Sequence, residues 1–187
     1  MKDMYYEMTI AGCKRALPLC PISDTLNIGA VVIFGDPELT NACAEELLKR
    51  APEHDVMITA ESKGIPLICE MARLNGNARY VLARKSPKLY MRNVFVSEVR
   101  SITTDHVQTL CLDGADAEYM RGKRVLIVDD VISTGESLRA LEELVSKAGG
   151  NIAGRMAILA EGDATTRDDI IYLEKLPLFD KDGKPLD

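Results

Sequence analysis

Histidine is scarce, with His54 and His106 the only two, and none of the five cysteines (Cys13, Cys20, Cys43, Cys69, Cys111) stands in CxxC spacing. A zinc site built from the usual nitrogen and sulfur ligands is therefore not expected. The odd cysteine count, with no basic and apolar leader at the N-terminus, agrees with a reducing, cytoplasmic setting in which the thiols act as small hydrophobes. No apolar run approaches the roughly 20 residues that a membrane helix needs. Positive charge is also in deficit: 23 Lys and Arg stand against 29 Asp and Glu, a net charge of −6. That balance disfavours a broadly basic nucleic-acid binder, so any anion must be met by a local site. Two phosphate signatures are missing as well, because there is no GxxxxGKS/T and no GxGxxG after a strand.

What remains is a chain of 187 residues, 47% of them hydrophobic, which suits one domain with a sizeable core. A helix is read from Pro37, with Asp36 as N-cap and Leu39, Cys43 and Leu47 on one face. "DVMITA" reads as a short buried strand, "IPLICEMARLNG" as a helix opening on Pro66 and closing at Asn75 and Gly76, and "RYVLAR" as a second buried strand. The middle, from Lys85 to Gly114, lacks helical periodicity and reads as a mobile stretch followed by one or two strands, including "HVQTLCL". Then come the apolar strand "RVLIVD", a helix from about Glu136 with Leu138, Leu141, Val145 and Ala148 on one face, and the strand "NIAGRMAILA". Strands alternating with helices predict an α/β fold, a mainly parallel twisted sheet with helices on both faces. The core is expected over about 36–161, with about 1–30 and 165–187 pairing into a small cap.

The stretch "VLIVDDVISTGES", Val125–Ser137, carries the chemistry. A strand apolar enough to be buried ends in two adjacent carboxylates, which are costly there unless something compensates them. Side chains on a strand alternate in direction, so Asp129 and Asp130 serve one ligand only if the strand ends between them and the chain turns. Ser133, Thr134 and Ser137 then offer hydroxyls, Gly135 permits close backbone approach, and the following helix start carries about half a positive charge. A phosphate suits that cradle, and vicinal hydroxyls suit the paired carboxylates. A ribose 5-phosphate is implied. Two further loops fall at neighbouring strand ends: "AESKGIPL", in which Gly64 turns the backbone toward an anion and Lys63 adds charge, and "ARKSPKLYM", with Arg84, Lys85 and Lys88 crowded together.

On these residues the chain resembles the type I phosphoribosyltransferases, whose phosphoribosyl-pyrophosphate (PRPP) motif has four apolar residues, two acids, two further apolar residues and a small hydroxyl- and glycine-rich loop. The resemblance runs from about Asp36 to Glu161. It implies that Asp129 and Asp130 hold the ribose hydroxyls and lie near Mg²⁺, through water, and that Ser133, Thr134, Gly135, Glu136 and Ser137 surround the 5-phosphate. Glu61, Ser62, Lys63 and Gly64 resemble the family's pyrophosphate loop. Arg84, Lys85 and Lys88 resemble "RKPGKLP" of adenine phosphoribosyltransferases, where basic residues reach pyrophosphate and begin a closing loop; Lys85 and Lys88 are the contacts so implied, with Arg92 a third candidate. Asp129, Asp130 and Lys85 are the catalytic residues so implied, and Mg²⁺ the cofactor.

Among nucleobases the resemblance favours adenine. Xanthine and hypoxanthine enzymes lie close by, and "KGIPL" is shared with orotate enzymes. The acidic "LEYG" of adenine enzymes has no counterpart at Ser101–Thr104, which leaves Glu98 as the nearby acid. Purine regulators use the same fold to sense PRPP and usually add an N-terminal DNA-binding domain, for which about 35 residues before the first helix are too few; a non-catalytic PRPP-sensing regulator is the alternative expectation. A homodimer acting on PRPP and a nucleobase, without membrane or nucleic acid, is the expectation.

Overall fold

A computed structural model describes residues 4–100 and 107–186. Along the chain run β1 (Tyr5–Ile10), β2 (Cys13–Pro21), β3 (Leu26–Gly29), α1 (Pro37–Arg50), β4 (Val56–Ala60), α2 (Ile65–Leu74), β5 (Val81–Ala83), β6 (Phe95–Arg100), β7 (Val107–Leu112), α3 (Gly114–Met120), β8 (Arg124–Ile132), α4 (Glu136–Lys147) and β9 (Asn151–Glu161). A 3₁₀ turn (Gly162–Thr166) and the strands β10 (Ile171–Leu176), β11 (Leu178–Asp180) and β12 (Pro185–Leu186) follow.

Five strands in the order β10-β9-β8-β4-β5 form a sheet whose neighbours are all parallel. Alternation along its strands explains the helices on both faces. Val56, Ile58, Val125 and Ile127 pack on one side with Leu138, Leu141, Leu144 and Val145 of α4. Met57, Leu126 and Val128 pack on the other with Leu39, Cys43 and Leu47 of α1 and Leu67, Ile68 and Met71 of α2. This is the α/β arrangement that the alternating pattern predicts. Cys43 is a packing group in it, and burial pushes its thiol up to about 12. Cys69, by contrast, is exposed.

The chain leaves β4 through α2 toward β5 and leaves β8 through α4 toward β9, in opposite directions along the sheet. Order therefore reverses between β4 and β8, the kind of switch point at which open parallel sheets bind ligands. The hairpin β6–β7 is tied to the β5 edge where Arg84 and Cys111 exchange both backbone hydrogen bonds, 2.8 and 2.7 Å.

Three features depart from expectation. Strand β8 does not end between its aspartates; its pairing with β9 continues to Ile132 opposite Ala160. The expected cap is a second, antiparallel sheet, β1-β2-β3-β11-β12, but "IYLEKL" is not part of it: β10 pairs with β9 as the outer strand of the parallel sheet. Its edge position leaves Glu174 and Lys175 exposed while Leu173 and Leu176 are buried, so the pattern lacks the unbroken apolar run of the inner strands. The short helix α3 is unanticipated, since only Ala117 and Met120 bury a face.

Cap and core meet at Asp36. Its carboxylate accepts the Leu39 N–H at 3.1 Å, which caps α1, and receives Arg15 of β2 through two bonds of 2.6 and 2.9 Å. Asp36→Ala is expected to cost about 1–2 kcal/mol in urea unfolding, and Asp36→Asn, which retains a capping oxygen, less than half of that. Equal losses would show that the cap contributes little.

Candidate functional site

The β4–β8 pairing stops at Ile58 opposite Ile127. Beyond it β4 pairs on with β5 as far as Ala60 opposite Ala83, and β8 with β9. The two central strands thus part at the switch point, and the loop Glu61–Gly64 fills the opening. Asp129 and Asp130 lie in it, only 7% and 4% exposed. The ladder runs on through both, but the inside-outside alternation slips after them: Val131 packs with the cluster of Leu126 and Val128, and Ile132 with the opposite one. A slip of alternation therefore does what a strand end was expected to do.

Both carboxylates are served by consecutive residues of one loop. Ser62 Oγ donates to Asp129 Oδ1 at 3.1 Å, and the Asp130 N–H donates to the same oxygen at 2.9 Å. Lys63 Nζ lies 3.2 Å from Asp130 Oδ2 and donates to the Val31 carbonyl at 2.7 Å. Gly64 is needed for space rather than for conformation, because its φ is −68°. A Cβ there would lie 3.0 Å from Thr59 Oγ1 and 3.1 Å from Asp129 Oδ1. Nor does Gly64 turn a free N–H toward an anion, since that group donates to Ser62 Oγ at 3.1 Å.

Burial, and then the charge of Asp130, push the Asp129 carboxyl up to about 7. The Ser62 hydroxyl offsets only part of this, so ionising Asp129 without a cation or further hydroxyl donors is costly.

The loop after β8 lines, with Asp129, a recess of about 50 Å³ formed by Ser133, Thr134, Gly135, Glu136 and Ser137. Gly135, at φ +77°, turns the chain into α4 and provides no side-chain cap. Gly64 likewise begins α2 without one, whereas Asp36 and Asp113 cap α1 and α3. At α2 the Ile65 N–H already donates to the Ser62 carbonyl at 3.4 Å and Pro66 has no N–H, so of the two helices that start at the opening α4 is the one whose first amides are left to other partners.

The basic residues divide. Arg84 Nη2 pairs with Glu61 Oε1 at 3.0 Å, and the Lys85 N–H donates to Glu61 Oε2 at 3.0 Å. The Lys85 N–H, followed by the charges of Arg84 and Lys88, holds the Glu61 carboxyl below its ordinary range. Glu61 therefore clasps the β4 and β5 loops together instead of facing an anion. The Lys85 side chain is exposed beside this clasp, and Lys88 Nζ donates to Ser86 Oγ at 3.0 Å. Arg92 is not brought in: it folds onto the Leu89 and Met91 carbonyls, both at 3.1 Å. Glu98 is exposed on β6, and Ser101–Thr104 lie outside the described residues.

Sequence reasoning missed Glu161, at the carboxyl end of β9. It is 8% exposed, its Oε1 has no hydrogen-bond partner among the described residues, and burial raises its carboxyl against the pull of Lys63. The signal was available, because "MAILAE" repeats the pattern of an apolar strand ending in an acid.

A family model described as the phosphoribosyl transferase domain matches residues 38–179. Xanthine phosphoribosyltransferases of Bacillus cereus (strain AH187) and Bacillus thuringiensis (strain Al Hakam) are 31% and 33% identical over 149 residues, which is 75% of this chain and 74% of each relative. Among solved structures, the adenine phosphoribosyltransferase of Thermoanaerobacter pseudethanolicus aligns with a TM-score of 0.67 at 23% identity, covering 92% of this chain and 95% of that one. That of Saccharomyces cerevisiae, complexed with an imino-altritol bisphosphate and adenine, aligns at 0.63 with 19% identity over 91% and 94%.

The raised Asp129 carboxyl gives stability a sign. The folded protein holds this proton more tightly than the unfolded chain, so the contribution is complete below the ordinary value of 3.8 and is lost as pH rises toward about 7. Urea midpoints of the ligand-free protein should therefore fall across that window, and Asp129→Asn should flatten the curve. A midpoint that rises over the same window would contradict the assignment.

Proposed function

Since the chain belongs to the phosphoribosyl transferase family, we propose that it moves the 5-phosphoribosyl group of PRPP onto a purine, with release of pyrophosphate. The observation that carries this reading is the pair of buried carboxylates beside an uncapped helix start, at the point where the parallel sheet opens. Asp129 and Asp130 accept the ribose hydroxyls, in charge-assisted bonds worth about 1.5–3 kcal/mol each. Ser133, Thr134, Gly135, Glu136 and Ser137 enclose the 5-phosphate with hydroxyls and amides. Ser62, Lys63 and Gly64 border the reacting carbon. Lys85 and Lys88 meet the pyrophosphate, while Glu61 and Arg84 hold their loop in place.

The reaction is a displacement at the anomeric carbon, and the chain contributes placement and charge. Lys63 is held by Asp130, so ribose hydroxyls that take over Asp130 free its ammonium for the developing negative charge of the leaving group. Mg²⁺ fits this site in one way. Among the described residues no cluster of three or more His, Cys, Asp or Glu makes a protein cage, whereas the two carboxylates are hard donors suited to an ion kept by substrate phosphates and water. Bound there, it would neutralise charge on the departing pyrophosphate.

Two purine classes remain in play. The basic loop favours adenine by its resemblance, while relatives above 30% identity carry the name xanthine phosphoribosyltransferase. A homodimer in the cytoplasm is the proposed setting, with a partner over the basic loop. Leu89, 99% exposed, and Tyr90, 62% exposed, support that cover. No helix among the described residues is long and apolar enough to cross a membrane.

The test is pyrophosphate release from PRPP and Mg²⁺ with adenine, xanthine, hypoxanthine, guanine or orotate supplied in turn. Turnover is expected with at least one purine, and Asp130→Asn should lower it by about 10²–10³-fold. Gly64→Ala, which sets a methyl against Thr59 and Asp129, should cost about tenfold or more with the fold intact. No turnover with any base would overturn the reading.

A further inference from the structure

The phosphate loop carries no cationic side chain of its own. A phosphate monoester carries about −1.5 to −2 at neutral pH. From Val125 to Leu138 the chain offers no Lys or Arg, three acids (Asp129, Asp130, Glu136) and a helix start equivalent to about half a charge. Lys63, Arg84, Lys85 and Lys88 belong to the ends of β4 and β5, on the other side of the paired carboxylates.

A cation reaches the loop from elsewhere. The 3₁₀ turn after β9 is closed by Thr165 Oγ1 donating to the Gly162 carbonyl at 2.7 Å and Thr166 Oγ1 to the Asp163 carbonyl at 2.8 Å, and is seated by Ala164, 1% exposed. It delivers Arg167 to the start of α4, where a Cβ on Gly135 would lie 3.4 Å from Arg167 Nη1. Asp169 grips the far side of the guanidinium, accepting Nε at 2.8 Å and Nη2 at 2.7 Å. That fork leaves the Nη1 edge, the one beside Gly135, outside the pair. Arg155 stands 3.5 Å from Asp169, which adds to the charge fixing it.

We propose that Arg167 completes the 5-phosphate site by donating from Nη1 to a phosphate oxygen, and that Asp169 is the positioning residue that aims it. The inference rests on the reading of Asp129–Ser137 as a ribose 5-phosphate site. Arg167 and Asp169 are more than a third exposed, and such ion pairs contribute little to stability, so a purely structural role predicts almost no effect on affinity. A phosphate-binding role predicts a large one.

The experiment measures the binding of ribose 5-phosphate and of inorganic pyrophosphate separately, by calorimetry, to the full chain. Arg167→Ala should weaken ribose 5-phosphate by about 10–100-fold and leave pyrophosphate within about twofold. Arg167→Lys, whose point charge cannot use the Asp169 fork, should recover part of the loss, and Asp169→Asn should produce a smaller one. Arg139→Ala removes an exposed cation one turn into α4 and controls for the general field. Unchanged ribose 5-phosphate affinity in Arg167→Ala, an equal loss for both ligands, or an equal loss in Arg139→Ala would overturn the inference while leaving the function standing. Failure of the unaltered protein to bind ribose 5-phosphate or PRPP would remove the reading beneath it.

Discussion

Two carboxylates side by side in a closed gap between parallel strands are the constraint to which the rest of the site answers. Burying an ion costs several kcal/mol after relaxation, and a like charge next to it adds to the cost. Around Asp129 and Asp130 the chain supplies a hydroxyl, an ammonium, a backbone N–H and a glycine small enough to let them approach. These hold the pair in place, while burial and the neighbouring Asp130 charge still push the Asp129 carboxyl above its ordinary range. Ligand hydroxyls and a cation relieve that strain, so the pair costs stability in the free protein and binding restores it.

The sheet topology makes the gap possible. Because β4 and β8 carry their chains away in opposite directions, no helix among the described residues crosses the opening between them, and the loops after β4, β5 and β8 meet there. Each brings a different group: hydroxyl and ammonium after β4, basic side chains after β5, bare helix amides after β8. The clasp at Glu61 joins the first two loops, which explains how one acid can sit among the basic residues without competing for the anion.

Much of this was legible in the sequence because it is local. Asp36 and Pro37 announce a helix start, "RVLIVD" announces a strand covered on both faces, and Gly135 marks the turn into α4. What escaped depends on contacts between distant residues or on position in the sheet. The Glu61 clasp spans 24 residues, so that acid read as part of an anion loop. β10 hid because an edge strand keeps polar residues, and the continuation of β8 hid because the slip in alternation is shared with its partner β9. Glu161 was overlooked although "MAILAE" shows a strand-ending acid, whereas Arg167 lies in a segment of ordinary composition that only the turn after β9 brings to the start of α4.

The most direct test of the central claim is a crystal structure of the protein with PRPP and Mg²⁺. The account predicts the ribose 2- and 3-hydroxyls within hydrogen-bond distance of Asp129 and Asp130, and the 5-phosphate against the amides of Thr134–Ser137. PRPP bound elsewhere, or bound with those two carboxylates unengaged, would contradict it.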